Sequence, residues 1–155
     1  MRERRALRRR LAALVRRPVL RPTHERGPFS YTPVADGSAD PGEVVWAWVP
    51  YEDDPAQGKD RPVLVLGREG GQLLALMLTS KDHDRDAGAE ARAGRYWLDI
   101  GSGDWDSQGR PSEVRLDRLL RLDPQAVRRE GAALDRSRFE CVVSAAAPHL
   151  DSPDG

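Results

Sequence analysis

The first regular hydrophobic pattern lies at residues 44–49, VVWAWV, where Val44, Trp46 and Trp48 alternate with Val45, Ala47 and Val49. A period of two predicts a strand with its largest side chains on one face. A polar loop follows over 50–60, and residues 62–66, PVLVL, are then apolar on both faces. That run predicts a buried strand beginning at its proline, where no ladder donor is lost. Gly70-Gly71 turns the chain into QLLALMLTS, residues 72–80, so the two segments form an antiparallel hairpin. Beyond a charged loop ending at Gly94, RYWLDI (95–100) predicts a fourth strand, GSGDWDSQGRP a further loop, and SEVRLDRLLRL (112–122) one or two short strands.

The period changes after residue 122. Asp123-Pro124 pairs an N-cap acceptor with proline at the first helical position, which predicts a short helix to Glu130 ahead of Gly131. Asp135 or Ser137 then caps a second helix with Phe139, Val142, Val143 and Ala146 facing inward, and Pro148 stops it. Five or six short strands in about 80 residues, closed by a helix, predict a small α+β barrel rather than a parallel sheet.

Upstream of this body the pattern differs. Residues 1–17, MRERRALRRRLAALVRR, place Leu7, Leu11 and Leu14 on one stripe of a basic helix suited to nucleic acid or an anionic membrane surface. Short isolated helices are marginal in water, which favours a mobile basic extension instead. Residues 18–41 are rich in Pro, Gly, Ser, Thr and Asp without a period, and read as a linker. The expected organisation is an arm and linker over 1–40, disordered or partly helical, a folded domain over 41–147, and a frayed tail over 148–155.

Composition sharpens this split. The chain has 155 residues and no net charge, yet residues 1–26 hold ten arginines against two glutamates. The remaining 129 residues carry 15 basic and 23 acidic groups, so an arm of +8 precedes a body of −8. The longest apolar run is six residues, 73–78, against about 20 for a membrane span. Cys141 alone makes no intrachain disulfide and suits a reducing cytoplasm.

The candidate chemistry is narrow. There is no Gly-rich phosphate loop and no His/Cys cluster, and His83 among three carboxylates reads as a solvated loop rather than a metal site. Asp53-Asp54 and Asp104/Asp106 read as turn formers, not a glycosidase pair. What remains is Gln57-Gly58-Lys59-Asp60-Arg61-Pro62 ahead of one hairpin strand, and Thr79-Ser80-Lys81 at the end of the other. A hairpin centred on Gly70 makes Arg61 and Thr79 cross-strand neighbours, about 5 Å apart at Cβ. The only two lysines, Lys59 and Lys81, flank the pair. A guanidinium, two hydroxyls and two ammonium groups converging there would form an anion site, with a phosphodiester as its natural occupant. The competing arrangement pairs Arg61 with Asp60 or Glu52 and leaves Thr79 an ordinary strand residue.

At these residues the chain resembles the PemK/MazF ribonuclease toxins of bacterial toxin–antitoxin systems. The likeness rests on PGEVVWAWV, QGKDRPVLVL, LLALMLTS and SEVRLDRLLRLDP, in order across residues 41–147. It implies an SH3-like, plasmid-maintenance-toxin barrel with a C-terminal helix, commonly a cytoplasmic homodimer that inhibits growth. It further implies sequence-specific cleavage of single-stranded mRNA by 2′-OH transesterification, with no metal or other cofactor. A cognate acidic antitoxin would restrain it, and DNA would be met only through the antitoxin complex. Carried over, Arg61 and Thr79 become the catalytic residues, with Gln57, Lys59, Ser80 and Lys81 contacting substrate. The chain departs from many relatives at Gly42-Glu43, where they have Gly-Asp, and at Pro55-Ala56, where they have Ser-Glu before the glutamine. The alternative is a non-cleaving module of the same fold that binds RNA, an antitoxin or, as gyrase-directed toxins do, a protein target.

Overall fold

The computed structural model describes residues 29–33, 39–80 and 94–150. The basic arm over 1–28 and the charged loop over 81–93 lie outside them. Strands β1 (Glu43–Pro50), β2 (Gly58–Glu69) and β3 (Gln72–Thr79) form an antiparallel meander. β4 (Trp97–Gly101), β5 (Ser112–Arg115), β6 (Leu120–Leu122) and β7 (Arg128–Ala133) complete seven strands, and helix α1 (Arg136–Leu150) ends the domain. The sheet runs β4-β5-β3-β2-β1-β7, with β6 also on β3. The outer edge of β3 is thus shared: Leu73–Ala75 pair with β6, and Leu78 and Thr79 pair with β5. That division curls the sheet into a half-barrel.

Both faces of the central hairpin are buried, as PVLVL implied. Leu64, Leu66, Leu76 and Leu78 join Phe139, Val142, Val143 and Ala146 of α1 in one cluster. Val63, Val65, Ala75 and Met77 join Val45, Ala47, Val49 and Leu120 in a second, which contains no helical residue. Asp135 caps α1, its Oδ2 accepting from the Arg138 amide at 3.0 Å. The helix continues two residues beyond Pro148, whereas the proline was expected to end it.

Three further expectations are corrected. β2 starts at Gly58, not at Pro62, because β1 supplies partners for residues 58–61; Trp46 faces Pro62 and Ala47 faces Arg61. The ladder with β3 is registered only from Val63, just past the residue that has no N–H to give. Asp123 does act as a cap, accepting from the Gln125 amide at 2.9 Å, but of a single 3₁₀ turn over Pro124–Ala126. The expected helix to Glu130 is instead strand β7, since the free edge of β1 offers a ladder to residues 128–133.

The third correction concerns the linker. Phe29 bridges to Gly67, the Ser30 amide donates to the Leu66 carbonyl, and the Tyr31 hydroxyl donates to the Leu134 carbonyl at 2.6 Å. Tyr31 also lies against Phe139, ring centres 5.2 Å apart. Residues 29–32 therefore dock on the body, because two aromatic side chains at alternate positions give the segment something to bury. Tyr31 crosses Gly42, whose φ of 101° and lack of a Cβ are both required: a Cβ there would lie 2.7 Å from the Tyr31 ring.

Candidate anion site beside the central hairpin

The hairpin turns on Gly70-Gly71, both at positive φ, so that Glu69 faces Gln72 and Arg68 faces Leu73. Left uncorrected, this register would put Arg61 opposite Ser80. An irregularity between Val65 and Gly67 shifts it by one residue, and Val63 then faces Met77. Continued two residues further, the same register sets Arg61 opposite Thr79. The ladder itself stops at Val63 and Met77, and the bulge sets its register in the sense expected from the sequence.

Neighbouring strands extend this row. Ala47 stands beside Arg61 on β1, Glu113 beside Thr79 on β5, and Asp99 beside Glu113 on β4. The next row inward, Val45, Val63 and Met77, is buried and apolar. Arg61 and Thr79, each half-buried, thus border an apolar row whose cluster includes no helical residue among those described. Both acids that were candidates for neutralising Arg61 are engaged elsewhere. Asp60 holds Arg128, with nitrogen–oxygen distances of 3.1 and 2.5 Å, and is pulled below the usual carboxylate range chiefly by that bond. Glu52 lies bidentate on Arg115, at 2.9 and 3.1 Å.

Arg115 is the best-buried guanidinium of the site, its side chain 5% exposed, and it also bonds Asp117 at 2.8 Å. Burial opposes its charge, but the two carboxylates more than offset that and hold its pKa above the ordinary arginine value. Asp117 in turn accepts the Tyr96 amide at 2.8 Å. The same turn between β5 and β6 carries Arg118, which reaches over the site to donate to the Pro50 carbonyl at 2.8 Å. Sequence reasoning singled out neither Arg115 nor Arg118. Both stand in the quoted block SEVRLDRLLRLDP, but only the division of the β3 edge brings that turn beside Thr79.

The remaining expected residues are placed unevenly. Lys59 is on β2 in the same row sense as Arg61, opposite Val49, and is exposed. Gln57 is exposed in the β1–β2 loop, where its carbonyl accepts the Tyr51 amide. Gly58 beside it is obligatory, since a Cβ would sit 2.4 Å from the Val49 carbonyl oxygen. Ser80 is exposed, one residue past β3 and out of the row shared by Arg61 and Thr79. Lys81, His83 and Arg85 lie outside the described residues. Asp106 is a turn former as expected, accepting the Gln108 amide at 2.8 Å and Arg110 at 2.9 Å.

Among the described residues many carboxylates of the acidic body are taken up by other arginines. Arg68, Arg110, Arg115, Arg121, Arg128, Arg136 and Arg138 each hold a carboxylate. Among the described residues no carboxylate pairs with Arg61 or Arg118. Guanidiniums that hold no carboxylate among these residues can accept an anion through their N–H groups.

A curled antiparallel sheet closed on one face by a C-terminal helix is the MazF-like toxin fold. The profile of the family described as "PemK-like, MazF-like toxin of type II toxin-antitoxin system" matches residues 40–150, and the chain belongs to that family. Its structure is similar to MazF (Form-I) from Deinococcus radiodurans, with a TM-score of 0.54 at 20% identity, over 76% of this chain and 100% of that one. The MazE-MazF (Form-II) structure from the same organism matches with a TM-score of 0.49 at 20% identity, over 75% and 98% of the two chains. No curated protein matches this sequence. Among the described residues no helix is long and apolar enough to cross a membrane.

Proposed function

We propose that this protein is a metal-independent endoribonuclease that cuts single-stranded RNA at Arg61 and Thr79. The observation that carries the reading is that, among the described residues, Arg61 meets no carboxylate while Asp60 and Glu52 are bound to other arginines, and that the hairpin register, carried on past Val63 and Met77, brings Arg61 toward Thr79. In the reaction the RNA 2′-oxygen loses its proton and attacks the adjacent phosphorus. The bond from phosphorus to the 5′-oxygen breaks, and that oxygen takes up a proton. The products are a 2′,3′-cyclic phosphate and a 5′-hydroxyl. Negative charge builds on the non-bridging oxygens, where the Arg61 fork donates two charge-assisted hydrogen bonds and the Thr79 hydroxyl orients an oxygen. Catalysis of this kind rests on positioning and charge stabilisation.

Family membership supports two associations: a cognate acidic antitoxin that restrains the toxin, and a homodimer as the working form. The chemistry is tested by incubating purified protein with single-stranded RNA in EDTA and identifying the new ends. Cyclic-phosphate ends, lost when the cut position carries a 2′-deoxy sugar, are the expected result. Absence of cleavage, or cleavage that appears only on adding a divalent metal, would overturn the reading.

A further inference from the structure

Arg118 stands in the turn that joins β5 to β6, at the point where these two strands divide the outer edge of β3. Among the described residues its guanidinium makes one neutral contact, the 2.8 Å hydrogen bond to the Pro50 carbonyl, and the residue is half-buried. A guanidinium has five N–H donors, so this contact leaves most of them for a ligand. The neighbouring Arg115 is occupied on both sides by Glu52 and Asp117. Those carboxylates satisfy Arg115, and among the described residues neither makes an ion pair with Arg118.

We propose, building on the ribonuclease reading, that Arg118 is a substrate-binding residue that holds a second phosphate of the RNA strand, next to the one at Arg61. Burial lowers the pKa of Arg118, and Arg115 and Arg61 push it the same way, against Glu52 and Asp117. Pro50, which holds Arg118, ends the strand that carries Ala47 opposite Arg61, so the two arginines border the same stretch of β1 and a strand carrying successive phosphates can meet both. Arg61 then meets the reacting phosphate, while Arg118 sets where the strand lies. The bond to Pro50, at the end of β1, steadies the arginine on a strand instead of on a loop.

The test compares the parent with Arg118→Gln and Arg118→Lys. Glutamine still offers an N–H to the Pro50 carbonyl but carries no charge; lysine keeps the charge without the fork. For Arg118→Gln the expected result is a KM for single-stranded RNA raised about tenfold with kcat nearly unchanged, the signature of lost binding. The slope of log affinity against log salt should fall by about 0.7, the loss of one phosphate contact on a single strand. Arg118→Lys should recover the salt slope. A glutamine variant with the parent's KM and salt slope would overturn the proposal and leave Arg118 as a brace for the β1 end. Fluorescence anisotropy with a 2′-deoxy oligonucleotide keeps this test separate from catalysis. If the parent binds that strand without cutting RNA, a reduced slope in the glutamine variant still supports the second phosphate contact. An unchanged slope there overturns it.

Discussion

Leu64, Leu66, Leu76 and Leu78 point to one side of the central hairpin and meet helix α1, whereas Val63, Val65, Ala75 and Met77 point to the other and meet no helix. The inner strands are equally dry on both sides, so burial does not distinguish them. What differs is how each face ends. The helix-covered face closes on Phe139 and Tyr31, and its polar contacts are braces, such as Arg138 donating to the Ile100 carbonyl at 2.5 Å. The other face is bordered by Arg61, Thr79, Arg115 and Arg118. A helix-covered face can contribute volume alone, because its side chains find their partners within the fold. A face bordered by guanidiniums that, among the described residues, hold no carboxylate can find their partners in something it binds. Stability and activity should therefore separate by face.

The largest effect should come from Phe139→Ala, which empties a fully buried ring site beneath α1. It should cost about 3–5 kcal/mol, read as a lower denaturant midpoint. Any activity lost with it should follow the unfolded fraction. If Phe139→Ala is nearly neutral, the helix is not what stabilises this face.

On the second face, Arg61→Ala should cut RNA cleavage by about 10²–10³-fold while the melting temperature hardly moves, since the guanidinium holds no carboxylate among the described residues. Arg61→Lys should restore only part, because an ammonium keeps charge without the fork. Cleavage by Arg61→Ala at the parental rate would make the Arg61–Thr79 neighbourhood structural only.

Asp117→Asn joins the two behaviours. It removes one carboxylate from the buried Arg115 and should destabilise by about 2 kcal/mol, with some loss of activity as the Arg118 turn loosens. Unchanged stability would show that Glu52 alone suffices for Arg115. Thr79→Val keeps side-chain shape and removes the hydroxyl, and a loss of about tenfold in kcat is expected with stability maintained.

The smallest effect is a pH dependence on the covered side. Burial raises the Tyr31 pKa above its ordinary value, and the carboxylate of Asp135 adds to this while Arg136 opposes it. The folded protein thus holds the phenol proton more firmly than the unfolded chain, and stability should fall as pH climbs above about 10, the unfolded tyrosine value. Tyr31→Phe should cost about 1 kcal/mol at neutral pH, through the lost bond to Leu134, and should flatten that alkaline fall. If the fall is as steep in Tyr31→Phe as in the parent, another group causes it.

Much of this was legible in local pattern. Alternation in VVWAWV, the double-sided burial of PVLVL, the Gly70-Gly71 turn and the inward face of Phe139, Val142, Val143 and Ala146 are short-range properties, written within a few residues of each element. Arg61 and Thr79 were legible together because a hairpin converts sequence distance into spatial distance by simple counting. The count about Gly70 agrees with the register at Val63 and Met77 because the Val65–Gly67 irregularity offsets a turn centred half a residue away.

Tertiary structure alone decided the rest. Residues 128–133 have helix-compatible chemistry, but the unpaired edge of β1 satisfies their backbone as a strand. Phe29 and Tyr31 looked like linker because two aromatics in a Pro-rich stretch show no period until a sheet and a helix receive them. Trp105 lay in an apparent loop, yet it is buried with its Nε1 donating to Ser112 Oγ at 3.0 Å. Most telling is which arginines the carboxylates hold. Every one carries the same charge in the sequence, and among the described residues Glu52, Asp60 and Asp117 pair with other arginines and not with Arg61 or Arg118. Charge is a property of the residue, whereas neutralisation is a property of the distances the fold creates.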